Sequence, residues 1–248
     1  MARPPQIPQP SRLAQSAYMS PYSHSGAPAS HPNADSHAST DTDLYAPLRA
    51  SALASLEAMG FDGRTMAERG VVWAEDQDPF GHVAHSQYMH FFGLVFHRVM
   101  ESYTEYFDED EYDGMVKGRT VIPVVRKYEL EIRRVVTYPD SLIAANRQER
   151  IEPTRSHSTT VLYSLKQQAI VAQVIGNVTF MDVKTSRPVD IRTLGGGWTK
   201  LYEGFARRAE TARGLRVKWE ESELKRKGKA KGKEEKGGGV GRDRGSRL

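Results

Sequence analysis

Apolar positions first become periodic between Leu44 and Met59, where Leu48, Leu53 and Leu56 sit among many alanines; this predicts a short helix, ended by Gly60 and the Asp62-Gly63 turn. Arg69–Glu75 (RGVVWAE) reads as a short β run. From Gln87 to Phe107 the apolar residues Tyr88, Phe91, Phe92, Val95, Phe96, Val99, Met100, Tyr103 and Phe107 keep the i, i+3, i+4, i+7 rhythm of a long helix buried on one face. Four β-type runs follow: 121–136, with Tyr128, Leu130 and Ile132 alternating against Lys127, Glu129, Glu131 and Arg133, then 142–151, 157–165 and 170–183. Tyr138-Pro139-Asp140 supplies a turn. Past Gly195-Gly196-Gly197, residues Trp198, Leu201, Tyr202, Phe205, Ala209 and Ala212 return to helical spacing, and the chain then passes into Lys, Arg, Glu and Gly.

This order, a strand, a long helix and a meander of strands, predicts one α+β domain with an antiparallel sheet wrapped around a single helix. Three regions follow: a disordered arm over 1–44, a domain over 45–192, and a C-terminal helix with a basic flexible tail over 193–248. The arm is rich in Pro, Ser, Ala and His and has no periodic pattern, so it cannot bury enough apolar surface to offset chain entropy. A mitochondrial presequence is a minor alternative, opposed by its prolines and by Arg3 and Arg12 being its only cations before residue 35.

Composition narrows the function classes. The chain has 248 residues and no Cys, which excludes a disulfide scaffold, thiolate metal sites and cysteine catalysis. No apolar run approaches the roughly 20 residues of a membrane span. The net charge of +4 belongs to the tail: residues 207–248 hold 15 Lys and Arg against seven Asp and Glu. That tail lacks interleaved aromatics, so a nucleic-acid role is not expected.

Candidate chemistry concentrates in Trp73-Ala-Glu-Asp76-Gln-Asp78-Pro-Phe-Gly81-His82-Val-Ala-His85-Ser86-Gln-Tyr88, between the first strand and the long helix. A helix N-terminus favours a developing negative charge such as a thioester oxyanion. From the residues alone Asp78 reads first as a helix-capping or turn residue, and Asp76 as a loop-bonding carboxylate. His82, His85, His90 and His97 lack the i, i+4 spacing of a helical metal pair, so no metal is expected.

This segment resembles the hotdog-fold acyl-CoA thioesterases of the 4-hydroxybenzoyl-CoA thioesterase type. Asp76, Asp78, Gly81, His82, Val83 and Tyr88 match that family's signature, and Tyr138–Leu142, Arg155–Ser158 and Phe180–Pro188 resemble its later elements in the right order. Ala84-His85 departs from the Asn-Asn of many relatives, and makes an acyl-carrier-protein substrate unlike this chain. The resemblance implies hydrolysis of an acyl-CoA thioester to free acid and CoA, without metal or redox cofactor. Asp78 would act as general base or nucleophile. His85 would polarise the carbonyl or shuttle a proton, and a backbone N–H near His85 or Ser86 would face the thioester oxygen. Ser86, Tyr88 and Ser158 would contact substrate. Lys117, Arg119, Arg126, Arg150 and Arg155 are candidates for the CoA phosphates. A homodimer or homotetramer is implied, with sites that use both subunits. The alternative is a hotdog scaffold or acyl-CoA-binding protein without activity.

The chain ends in Ser246-Arg247-Leu248, a variant of the Ser-Lys-Leu signal bound by a peroxisomal import receptor. Peroxisomal localisation is therefore expected, with the cytoplasm as the alternative.

Overall fold

The computed structural model describes residues 45–237, with side chains to Arg226; the N-terminal arm and the Ser246–Leu248 tripeptide lie outside the described residues. The elements in chain order are α1 (Ala46–Ala58), β1 (Ala67–Gly70), α2 (Trp73–Asp76), α3 (Gln87–Glu101), α4 (Glu109–Val116), β2 (Val121–Ile132), β3 (Ser141–Glu152), β4 (Arg155–Ser164), β5 (Ala169–Asp182), β6 (Arg187–Pro188) and α5 (Gly196–Gly237). The strands form one antiparallel sheet in the order β1-β3-β4-β5-β2, with β6 paired to the end of β5. This is the hotdog architecture, α+β, with the sheet curled about α3.

Strand β3 shows how the layers are set. Its first five residues are buried without a break, as expected of a strand covered on both faces. Leu142 and Ala144 face Phe91, Phe92 and Val95 of α3. Ile143 and Ala145 face Ala52 and Leu56 of α1 on the other side. The strip read as an amphipathic helix thus supplies the central core, while α1 closes the back of the sheet.

A third cluster forms beyond the C-terminal end of α3, where Tyr103, Phe107, Phe180, Trp198, Leu201 and Phe205 meet. Phe107 and Trp198 lie 4.7 Å apart between ring centroids, and Tyr103 and Phe205 5.4 Å in an edge-to-face arrangement. The triple glycine has a local cause. Gly195 and Gly196 take φ values of +72° and +52°, and a Cβ on Gly197 would collide with the Phe107 ring.

Several boundaries, and one additional helix, depart from the sequence-based expectations. The run Arg69–Glu75 is not one strand: β1 stops at Gly70, and Trp73–Asp76 is a helical turn, because the Asp76 carboxylate accepts the Val72 N–H at 2.7 Å while the Asp76 N–H bonds the Val72 carbonyl at 2.9 Å. The long helix ends at Glu101 and continues as a 3₁₀ turn over Ser102–Glu105. Helix α4, which the apolar pattern does not announce, is nucleated by an Asp108–Glu111 capping box. At the C-terminus α5 runs on to Gly237 where a flexible tail was expected. Past Ala212 it has little to pack on, and ion pairs one turn apart, Glu210–Arg213 at 3.0 Å and Glu223–Arg226 at 3.3 Å, accompany its helix-favouring Lys, Arg and Glu.

Candidate active site

Asp78 sits half-buried in the loop between α2 and α3. The Asp78 N–H donates to the His82 carbonyl at 2.7 Å, and the Gly81 N–H to the Asp78 carbonyl at 3.0 Å. Asp78 Oδ1 accepts two backbone N–H groups, from Phe80 at 2.9 Å and His82 at 3.0 Å. Oδ2 takes no hydrogen bond among the described residues, so one carboxylate oxygen anchors the turn and the other is open. Gly81 at φ +78° permits the tight return.

Asp76 fixes this loop from below. It is fully buried and pairs with Arg69 at 3.0 Å. Its carbonyl accepts the Ala84 N–H at 2.8 Å, and the Val83 N–H bonds Val136 at 2.8 Å, so both ends of the Asp78 turn are tied to the body. The Arg69 guanidinium lies 4.7 Å from the Phe91 ring centroid, which links the loop to α3. The Asp76–Arg69 partnership has no signal in the sequence, since the two residues pair across the loop that joins β1 to α2.

The histidine and serine candidates stand at the start of α3. His85 and Ser86 are exposed, and Ser86 is the N-cap residue without a side-chain capping bond. Among the described residues, neither the His85 nor the Ser86 backbone N–H meets an acceptor. With the helix dipole behind them, these N–H groups can receive an oxyanion. Tyr88, one turn on, points the other way: it is 2 % exposed within the core and its phenol pKa is pushed up by burial. Ser158 is elsewhere again. It lines a narrow cavity of about 40 Å³ between the C-terminal half of α3 and the sheet, which Asp78 does not border. The structure thus brings Asp78, His82, His85 and Ser86 onto one segment and leaves Tyr88 in the core and Ser158 on the sheet.

Of the basic candidates, Lys117 and Arg119 are both engaged by Asp113, and Arg150 pairs with Glu152 at 3.2 Å. Arg126, at the bulge of β2, and Arg155 are exposed. Among the described residues no three His, Asp or Glu side chains converge as a metal site would need, and no helix is long and apolar enough to cross a membrane. Trp73 and Phe80, on the segment that carries Asp78, stand 68 % and 81 % exposed.

The family model of the thioesterase-like superfamily matches residues 72–198, half of the chain, and the chain belongs to that superfamily. Its class is thioester hydrolase. No curated protein matches the chain. Similar solved structures include a DHNA-CoA thioesterase from Staphylococcus aureus, at 14% identity and a TM-score of 0.47 over 56% of this chain and 88% of that one. A second S. aureus protein, solved in complex with CoA, has 10% identity and a TM-score of 0.47 over 58% and 84%. A 1,4-dihydroxy-2-naphthoyl-CoA thioesterase from Synechocystis has 13% identity and a TM-score of 0.43 over 55% and 93%.

Proposed function

We propose that the protein hydrolyses an acyl-CoA thioester to the free acid and CoA, with Asp78 as the catalytic carboxylate. The observation that carries this reading is the Asp78 turn: one oxygen held by two backbone N–H groups, the other open, next to the unpaired N–H groups that begin α3. The open oxygen would take a proton from water or attack the thioester carbon, and the His85 and Ser86 N–H groups would hold the carbonyl oxygen as it becomes negative. His85 would assist at the carbonyl, and its replacement by Ala would cost less than loss of the Asp78 carboxylate. The spacing of Asp76, Asp78 and Gly81 favours the 4-hydroxybenzoyl-CoA thioesterase branch.

The working unit would be at least a dimer. Strand β2 is a 12-residue sheet edge. Its face toward the α3 side carries Val125, Tyr128, Leu130 and Ile132, each 38–44 % exposed. A second copy covering this strip would remove both the free edge and the apolar patch. Inside the cell the Ser246-Arg247-Leu248 end would direct the protein to peroxisomes. A fluorescent protein that ends in residues 237–248 should be punctate, and diffuse once Leu248 is removed.

Hydrolysis rates of the purified protein over short, medium, long and aromatic acyl-CoAs test the reading. Thiol release on at least one class is expected. No release on any class would favour the scaffold or binding-protein alternative.

A further inference from the structure

A cleft of about 470 Å³ opens far from the Asp78 loop, where α5 crosses the C-terminal end of α3. Its volume lies within the roughly 300–1,000 Å³ of ordinary small-molecule sites. Val99 borders it while Gln87 begins α3 beside the catalytic loop, a separation of roughly 18 Å along the helix at 1.5 Å per residue. Most of its wall comes from two stretches outside the matched thioesterase region: Gly60–Thr65 after α1, and Gly204–Leu215 of α5. The two are locked together at Gly60, where a Cβ would sit 2.5 Å from the Ala212 carbonyl oxygen.

The wall has a definite chemistry. Phe61, Phe205, Val99 and Leu215 give it an apolar body. Three arginines line it, but two are engaged. Arg64 holds Asp62 at 2.8 Å and Glu105 at 3.0 Å, and Arg208 holds Ser102 at 2.9 Å and Glu105 at 2.9 Å. Arg207 differs: it is 72 % exposed, with its nitrogen 4.0 Å from Glu203. Of the three, Arg207 is the one most open to solvent. Asp62 also lines it, and although burial opposes its ionisation, hydrogen bonds from Arg64 bring its pKa below the ordinary value, so it stays negative. Glu57 lines it as well, so a multiply charged phosphate would meet two carboxylates. The lining as a whole carries three arginines against Glu57 and Asp62, an excess of one positive charge, which a single carboxylate on an apolar chain would balance. Val99, Asn146, Gln148 and Phe205 also border the narrow cavity under α3, which offers the far end of such a chain a continuing path.

We propose that this cleft between α5, α3 and the Gly60–Thr65 loop binds an amphipathic monocarboxylate, its tail against Phe61 and Phe205 and its head at Arg207. The site stands apart from catalysis and does not depend on Asp78.

Calorimetric titration of the full chain with sodium dodecanoate tests it, with dodecyltrimethylammonium and adenosine 3′,5′-bisphosphate as contrasting probes. Dodecanoate should bind the wild type and Asp78→Asn alike. Arg207→Glu, a change at an exposed position, should weaken it by about tenfold or more through loss of a charge-assisted contact. Thr211→Trp, which fills the cleft from an exposed helix position, should abolish it with the melting temperature retained. The cationic probe should bind more weakly than dodecanoate. Absence of dodecanoate binding overturns the proposal, as does binding indifferent to both Arg207→Glu and Thr211→Trp. Loss confined to Asp78→Asn would place the ligand in the catalytic loop instead. Bisphosphate binding that Arg207→Glu removes, with dodecanoate unbound, would make the cleft a nucleotide site.

Discussion

Asp78 and His82 are joined twice: the Asp78 N–H donates to the His82 carbonyl at 2.7 Å, and the His82 N–H returns to Asp78 Oδ1 at 3.0 Å. The reciprocal pair closes the turn, and it leaves the second carboxylate oxygen without a hydrogen bond among the described residues. A residue that only capped the turn would need no more than this, so experiments must separate its structural share from its chemical one.

Asp76 provides the contrast. Asp76→Ala removes the partner of Arg69 and takes away the acceptor of the Val72 N–H. The change should cost about 3 kcal/mol, the low end for breaking a buried ion pair because Arg69 is partly exposed. Urea unfolding should show it, and activity should fall together with stability.

Glu111 ties two helices. Its carboxylate accepts the Asp108 N–H in the α4 capping box and the Gly197 N–H at the start of α5, at 2.9 and 3.1 Å to the two oxygens. Glu111→Ala should cost about 1–2 kcal/mol, lowering the melting temperature by roughly 2–4 °C per kcal/mol. Glu111→Gln should recover part of the loss, because one oxygen remains to accept.

Charging the β2 strip tests the assembly. Leu130→Lys combined with Ile132→Lys should convert a dimer into a monomer in light scattering, with the fold kept, since both side chains are already exposed in the single chain. A wild type that is monomeric at micromolar concentration contradicts the assembly.

Asp62 should set an acid limb of stability. Burial opposes its ionisation, but hydrogen bonds from Arg64 bring its folded pKa below 3.8. Its contribution is therefore complete above the unfolded value and is lost as pH falls through the lower folded one. Melting temperature measured between about pH 2 and 6 should fall less steeply for Asp62→Asn than for the wild type.

Most elements were legible because periodicity reports burial. The β-type run from Leu142 to Ile151 and the stripe from Tyr88 to Val99 fall within β3 and α3. What stayed hidden depends on partners distant in the chain. Tyr128, Leu130 and Ile132 alternate like core residues, yet they remain exposed on an edge strand. Tyr88 matches a substrate-facing position by motif, whereas helical geometry turns its ring into the core. The resemblance puts Ser158 at the start of a strand and in contact with substrate; it lies on β4, where it lines the cavity beside the C-terminal half of α3 and not the Asp78 loop. The α5 cleft needed two segments about 140 residues apart, Gly60–Thr65 and Gly204–Leu215, to meet, and no local pattern announces that.

The central claim is that Asp78 performs chemistry beyond closing its turn. The most direct measurement is the turnover number of Asp78→Asn beside its melting temperature, on whichever acyl-CoA the wild type hydrolyses fastest. Asn keeps an oxygen to accept the Phe80 and His82 N–H groups, so the turn should persist. The account predicts a fall in kcat of about 10²–10⁴-fold, the range for removal of a general base, with the melting temperature within a few degrees of wild type. A variant that retains wild-type turnover, or one whose activity falls only in step with its stability, would contradict it.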